Sequence, residues 1–284
     1  MSSADQGDRT PDQITVRLLQ TDPQLGDVAG NLERLDSLVS AEPLVDLVVA
    51  PELATHGYHV GLLDDPAPLA ADDPRLVSLG RHGPIVIAGF AERSDGRTHN
   101  SASVIRAGSV AVQRKISLPH YGRWAERDHF APGDAVGVHD IAGARVAVLV
   151  CNDMWQPALP WLAAHAGAEI LVVPVNSVVS DVGTPTAGVW DTILRHAALT
   201  LQVYVVFVNR VGHEGGGEFW GGSRVVSPTG DVVAQLGAGP GEVAVDLDLT
   251  ALRELRADWP LLADPPLQTV AQEAARLAAR PTDV

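Results

Sequence analysis

Three short apolar runs in this chain end in residues whose chemistry is complementary. Residues 46–50 lead into Pro51-Glu52, the run before Lys115 ends in Arg114-Lys115, and residues 145–150 lead into Cys151-Asn152-Asp153. A carboxylate, an amine and a thiol at comparable strand ends are the parts of a nucleophilic site. A thiol near its ordinary pKa of about 8.5 is only a few per cent thiolate at neutral pH, so it needs a base to take its proton or a cation to favour the anion. Glu52 fits the base. Attack on a carbonyl or nitrile carbon then puts negative charge on oxygen or nitrogen, which Lys115 and a backbone N–H beside Cys151 would stabilise. Taken singly, a strand-end cysteine is more often a small core residue, and Glu52 and Lys115 more often surface charges. Their shared placement carries the argument, because sites in layered α/β proteins gather beyond the carboxyl ends of strands.

The elements that must position these residues follow from periodicity. Val- and Ile-rich runs at 14–19, 46–50, 85–88, 102–105, 145–150, 170–173 and 203–208 read as strands, and residues 31–39, 160–166 and 186–201 read as helices. Residues 104–115 form a strand pair turned at Ala107-Gly108. Late in the chain, 223–227, the turn Pro228-Thr229-Gly230, 232–236 and 242–247 read as a hairpin followed by a further strand. Leu47-Val48-Val49 and 146–150 are apolar at consecutive positions, as in strands covered on both faces, so the fold class is layered α/β. No long linker interrupts residues 13–247 and no repeat is seen, so 13–257 are expected to form one domain after a flexible tail at 1–12. The segment 258–284 carries Trp259-Pro260, Pro265-Pro266 and a helical stretch at 270–279 whose apolar face needs a partner surface, such as a neighbouring subunit.

Composition narrows the function classes. With 284 residues and 46% hydrophobic content the chain suits a globular protein rather than a disordered, collagen-like or coiled-coil one. Twenty Lys+Arg against 35 Asp+Glu give a formal charge of −15, which works against phosphate-backbone binding, so no nucleic-acid partner is expected. No apolar run approaches the ~20 residues that span a bilayer, the first residues lack a signal-peptide core, and a single cysteine fits a reducing compartment. A cytoplasmic location without membrane partners is expected. His56-x-x-His59 lacks a completing ligand set, so no metal is expected. Gly215-Gly216-Gly217 and Gly221-Gly222 lack the lysine and the strand–helix context of a phosphate loop and read as a flexible segment that closes over the pocket. No cofactor is expected, and no Gly-x-Ser-x-Gly elbow is present. Tyr121, Trp155, Trp190 and Trp220 either line the pocket or pack in the core.

Residues 51–58 (Pro-Glu-Leu-Ala-Thr-His-Gly-Tyr), 114–119 (Arg-Lys-Ile-Ser-Leu-Pro) and 150–155 (Val-Cys-Asn-Asp-Met-Trp) resemble, in order and spacing, the three signature motifs of the nitrilase superfamily of carbon-nitrogen hydrolases. Further matches run from Gln20 to Asn31, through 129–134, to 209–212 and 222–230. The resemblance implies a four-layer αββα sandwich in which Glu52 is the general base, Lys115 stabilises the tetrahedral intermediate and Cys151 attacks to form a thioester. It also implies that Glu126, where many family amidases carry a second glutamate, positions substrate and water, and that the Asn152 backbone N–H joins Lys115 around the oxyanion. Tyr121, Asn152, Trp155 and Asn176 are the expected substrate contacts. Cys151-Asn152-Asp153 is closer to the Cys-x-Asp of the amidase and carbamoylase branches than to the Cys-Trp-Glu of true nitrilases. The loop from Lys115 to Glu126 and Asp153-Met154-Trp155 look like the glutaminase domain of glutamine-dependent NAD synthetase, but Asn152 stands where that family is acidic, and 176–179 lacks its proline and lysine. The resemblance therefore implies a cysteine-dependent amidohydrolase for a small linear amide or N-carbamoyl compound, working as a homodimer or higher homo-oligomer. The alternatives are a nitrilase and a non-catalytic family member serving as a binding module.

Overall fold

The computed structural model describes residues 12–279 apart from 42, 44, 59, 60, 64, 65, 122, 123 and 180–184. Residues 1–11 of the expected tail at 1–12, His59 and two residues of the 121–126 segment thus lie outside the described residues.

Strands apolar at every position need cover on both faces, because successive side chains point to opposite sides. Ile170–Val175 shows the result. Ile170 and Val172 enter one core, whereas Leu171, Val173 and Val175 enter another. It belongs to a six-stranded sheet ordered Val232–Gln235, Arg224–Val226, Tyr204–Asn209, Ile170–Val175, Ala144–Val148, Val138–Ile141, with the central three strands parallel. A second six-stranded sheet runs Gly241–Asp248, Gln13–Gln20, Leu47–Val49, Ile85–Ser94, Arg97–Arg106, Ser109–Arg114.

The inner faces of the sheets share one core, in which Val16, Leu18, Val49 and Ile87 meet Val146, Val148, Val172 and Val206. Helix Val28–Val39 covers the outside of one sheet through Val28, Leu32, Leu35 and Val39, a helical spacing. Asp27 caps it by accepting the Gly30 N–H, and the buried Arg17 guanidinium donates to the carbonyls of Leu38, Ala41 and Pro43 at its far end. Helices Ala158–His165 and Thr186–Leu201 cover the other sheet. The order is αββα.

Two features go beyond the local sequence pattern. The hairpin Arg224–Val226/Val232–Gln235 forms, but the next strand leaves it and pairs antiparallel with Gln13–Gln20, Leu247 opposite Ile14. The first part of the glycine segment forms a hairpin turn. Gly215 and Gly216, at φ 56° and 75°, make the two-residue turn of a hairpin between Val211–Glu214 and Gly217–Trp220, a backbone that only glycine adopts without strain. Among the described residues no helix is long and apolar enough to cross a membrane.

Candidate active site

Each reactive side chain is delivered by a strand end and locked by the loop that follows. After Leu47–Val49 the chain turns sharply through Pro51-Glu52-Leu53 against Gly89 of the neighbouring strand. A Cβ on Gly89 would lie 2.2 Å from the Leu53 nitrogen, so this close approach requires glycine. Lys115 follows Ser109–Arg114; its N–H bonds Asn100 O at 2.8 Å, and Arg114 grips the buried Glu92 carboxylate at 2.7 and 2.8 Å. Cys151 opens the short 3₁₀ turn Cys151–Trp155 with φ 48°, a left-handed conformation that costs a non-glycine residue on the order of 1 kcal/mol.

Asp153 holds that strained turn. Its buried carboxylate accepts the Val150 N–H at 3.1 Å, the Ile116 N–H at 3.0 Å and the Ser117 N–H at 2.7 Å, tying the cysteine turn to the lysine segment. Burial pushes its pKa up to about 7 against the pull of those amides and of Lys115. The Asn152 side chain repeats the tie by donating to Ser117 Oγ at 2.9 Å.

Lys115 Nζ donates to Glu52 Oε1 at 2.7 Å and to Glu126 Oε1 at 2.8 Å, all three side chains being at most 1% exposed. Asn100 Nδ2 donates to Glu52 Oε1 at 2.8 Å, the Asn176 N–H to Glu52 Oε2 at 2.9 Å, and the Tyr58 hydroxyl to Glu126 Oε1 at 2.6 Å. Burial opposes the charge on Lys115, but the Glu126 and Glu52 carboxylates outweigh it and hold its pKa well above that of a free lysine. Burial, aided by the Glu52 charge and opposed by Lys115, raises the Glu126 pKa. Burial and the Glu52 charge also push the Cys151 thiol well up, against Lys115. Both shifts favour the protonated forms of the thiol and the amine.

These groups open on a cavity of about 330 Å³. Glu52, Glu126, Cys151 and Asn176 lie on its wall, and so do the expected contacts Tyr121, Asn152 and Trp155. All eight sequence-selected residues thus come together, seven on the cavity wall and Lys115 bonded to both glutamates. Glu126 Oε2 and both side-chain amide atoms of Asn176 are buried without a hydrogen-bond partner. Trp190 also faces the cavity. Trp220 instead stacks on Phe207 and donates its indole N–H to Ser177 Oγ at 3.0 Å. His56 is buried, with the Ala91 N–H on its Nδ1 at 3.2 Å, and no metal-holding group of His, Cys, Asp or Glu occurs among the described residues.

Sequence reasoning did not assign Asn100, Tyr58 or the tether formed by Asp153. Tyr58 and Asp153 stand inside the motifs that carry Glu52 and Cys151, whereas Asn100, on Arg97–Arg106, has no local signal.

A family model described as Carbon-nitrogen hydrolase matches residues 15–257. Over 259 residues the chain is 31% identical to an (R)-stereoselective amidase of Pseudomonas sp., covering 88% of this chain and 91% of that protein. It is 33% identical over 252 residues to a glutamine-dependent NAD(+) synthetase of Thermotoga maritima, where 84% of this chain spans only 42% of the synthetase. The fold matches a CN-hydrolase superfamily protein from Xanthomonas campestris with a TM-score of 0.79 at 22% identity, over 89% of this chain and 97% of that one. An amidase from Nesterenkonia sp. AN1 superposes with a TM-score of 0.74 at 27% identity, over 86% and 97% of the two chains; in that glutamate-to-glutamine mutant, acrylamide has undergone Michael addition at the active-site cysteine.

Proposed function

The chain belongs to the carbon-nitrogen hydrolase family, and from that premise we propose that it is a cysteine-dependent amidohydrolase cleaving a small linear amide or N-carbamoyl compound through a thioester. The observation that carries this reading is the convergence on one cavity of Cys151 and Glu52, with Lys115 bonded to Glu52 and Glu126 within 2.8 Å.

In this mechanism Glu52 takes the Cys151 proton as sulfur attacks the carbonyl carbon, so that the raised thiol pKa is overcome only when substrate is in place. The oxyanion is stabilised by the Lys115 ammonium and the Asn152 N–H. Glu52 returns the proton to nitrogen, the C–N bond breaks and ammonia leaves a thioester. Water then attacks with its proton passing to Glu52, the C–S bond breaks, and the acid departs as the thiol recovers that proton. Glu126 Oε2 accepts an N–H of the scissile group and afterwards orients the water. That acceptor favours an amide over a nitrile, which has no N–H to give.

The test is ammonia release by wild type and Cys151→Ala from aliphatic amides, glutamine, N-carbamoyl amines, N-carbamoyl amino acids and nitriles. Release from amides or carbamoyl compounds, lost by at least about 10³-fold in the variant, is expected. Equal rates in the two proteins overturn the mechanism; release from nitriles alone makes the protein a nitrilase; silence of folded protein leaves the binding-module reading. A free catalytic thiol suits the reducing cytoplasm.

The protein is also proposed to work as a homodimer or larger homo-oligomer. Helix Leu267–Ala278 is exposed along its whole length, with Val270, Ala274 and Leu277 on one face, and a single helix of this length is marginal in water without a partner. Sedimentation velocity showing only monomer at micromolar concentration would remove this proposal.

A further inference from the structure

The cavity wall away from the reacting atoms is built from aromatic carbon. Three of the six tryptophans (Trp124, Trp155, Trp190) and two of the three tyrosines (Tyr58, Tyr121) of the whole chain line it. Two of their polar handles are spent inside the protein. The Tyr58 hydroxyl donates to Glu126, and the Trp190 indole N–H donates to Ser177 Oγ at 3.0 Å. Trp155 packs edge-on against Trp190 with ring centroids 5.5 Å apart, and Trp124 edge-on against Tyr58 at 5.6 Å, which gives the wall a continuous aromatic area. Pro119, Val178 and Val179 extend the same apolar surface.

The carboxylates and ammonium groups of the described wall residues are of one sign. Among the described residues lining the cavity, the carboxyl side chains are Glu52 and Glu126, and no lysine, arginine or histidine is present. Lys115, the adjacent cation, is 1% exposed with both carboxylates bonded to it. The unused hydrogen-bonding capacity is concentrated at the reacting end, where Glu126 Oε2 offers an acceptor and the Asn176 amide offers both a donor and an acceptor, each buried without a partner. A carboxamide group supplies what those atoms lack. A carboxylate at the far end of the acyl chain would instead lose its hydration against aromatic carbon, in the field of two glutamates.

Resting on the amidohydrolase reading, we infer that the site selects primary amides whose acyl chain is uncharged and apolar, and discriminates against ω-amides whose chain ends in a carboxylate, glutamine-like substrates included. The acyl portion lies along Trp155 and Trp190, and the scissile carboxamide pairs with Glu126 Oε2 and Asn176.

The experiment compares hexanamide and 3-phenylpropanamide with glutaramate, the monoamide of glutaric acid, and with glutamine. Two readouts are used: kcat/KM for ammonia release by wild type, and calorimetric binding of the same compounds to Cys151→Ala protein. Uncharged amides are expected to exceed both carboxylate-bearing ones by at least about tenfold, a discrimination of about 1.4 kcal/mol. A smaller ratio, or preference for glutaramate or glutamine, overturns the inference while leaving a Cys151-dependent hydrolase in place. If no compound is turned over, the amidohydrolase reading fails, and the binding ratio decides the selectivity by the same threshold. Absence of any binding overturns it as well.

Discussion

Asp153 Oδ1 accepts the Ser117 N–H at 2.7 Å across 36 residues of sequence, while the other oxygen of the same carboxylate accepts the Val150 N–H just before the nucleophile. One buried side chain thereby fixes the spacing between the segment that carries Lys115 and the turn that carries Cys151.

Asp153→Asn places an NH₂ group against backbone N–H donors at one end of the carboxylate site. A buried donor left unsatisfied costs about 1–3 kcal/mol, so the urea midpoint should fall and kcat should drop as the Cys151 turn relaxes. The pH dependence has a defined sign. The folded pKa of about 7 lies above the ordinary 3.8, so the folded state holds this proton more tightly. The associated stability is fully present below about pH 4 and is lost as pH rises through about 7, Glu126 adding in the same direction. Urea midpoints at pH 5 and pH 8 should differ less in Asp153→Asn than in wild type; an equal difference would assign the titration elsewhere.

Tyr58→Phe removes the 2.6 Å hydrogen bond to Glu126 and leaves Lys115 as the partner of that oxygen. Bonds to charged groups contribute roughly 1.5–3 kcal/mol, so kcat/KM should fall about ten- to a hundredfold with an unchanged circular-dichroism spectrum. Unaltered kinetics would reduce Tyr58 to a wall of the cavity.

Glu52→Gln separates two effects of one carboxylate. The base is lost, so turnover should collapse by several orders of magnitude. Yet the Glu52 charge is one of the causes that push the Cys151 thiol up, so its removal lowers that pKa. Iodoacetamide should therefore alkylate the inactive variant faster than wild type at pH 8, as read by intact mass. Slower alkylation would show that Glu52 favours the thiolate at rest.

Gly89→Ala drives a methyl group into the backbone of the Glu52 turn, 2.2 Å from Leu53 N and 2.5 Å from Pro51 O. Overpacking of this kind costs about 1–3 kcal/mol or more, and here backbone must yield, so both melting temperature and activity should drop. A variant with wild-type melting temperature would mean that the turn has slack.

Much of the fold was legible locally. Helix Thr186–Leu201 and the strand Tyr204–Asn209 fall where apolar period places them. Helix Val28–Val39 begins three residues before the first expected position, and its signal was present in the Asp27 cap. Ile85–Ser94 and Arg97–Arg106 run longer than their apolar stretches, through the buried Glu92, Asn100 and Ser101. Ser101 bonds Glu92 and Ser103 bonds Ala88 O, so polar residues sit in a strand interior where hydropathy alone does not place them.

The sequence by itself determined the layered α/β class and the strand-end positions of Glu52, Lys115 and Cys151, since periodicity and motif spacing are local properties of the chain. Tertiary structure alone decided that Gly241–Asp248 closes the sheet beside Gln13–Gln20, that Asn100 and Tyr58 partner the two glutamates, and that Asp153 ties two loops. Those bonds join residues far apart in sequence. The charge states they set depend on burial, which exists only once the sheets have packed.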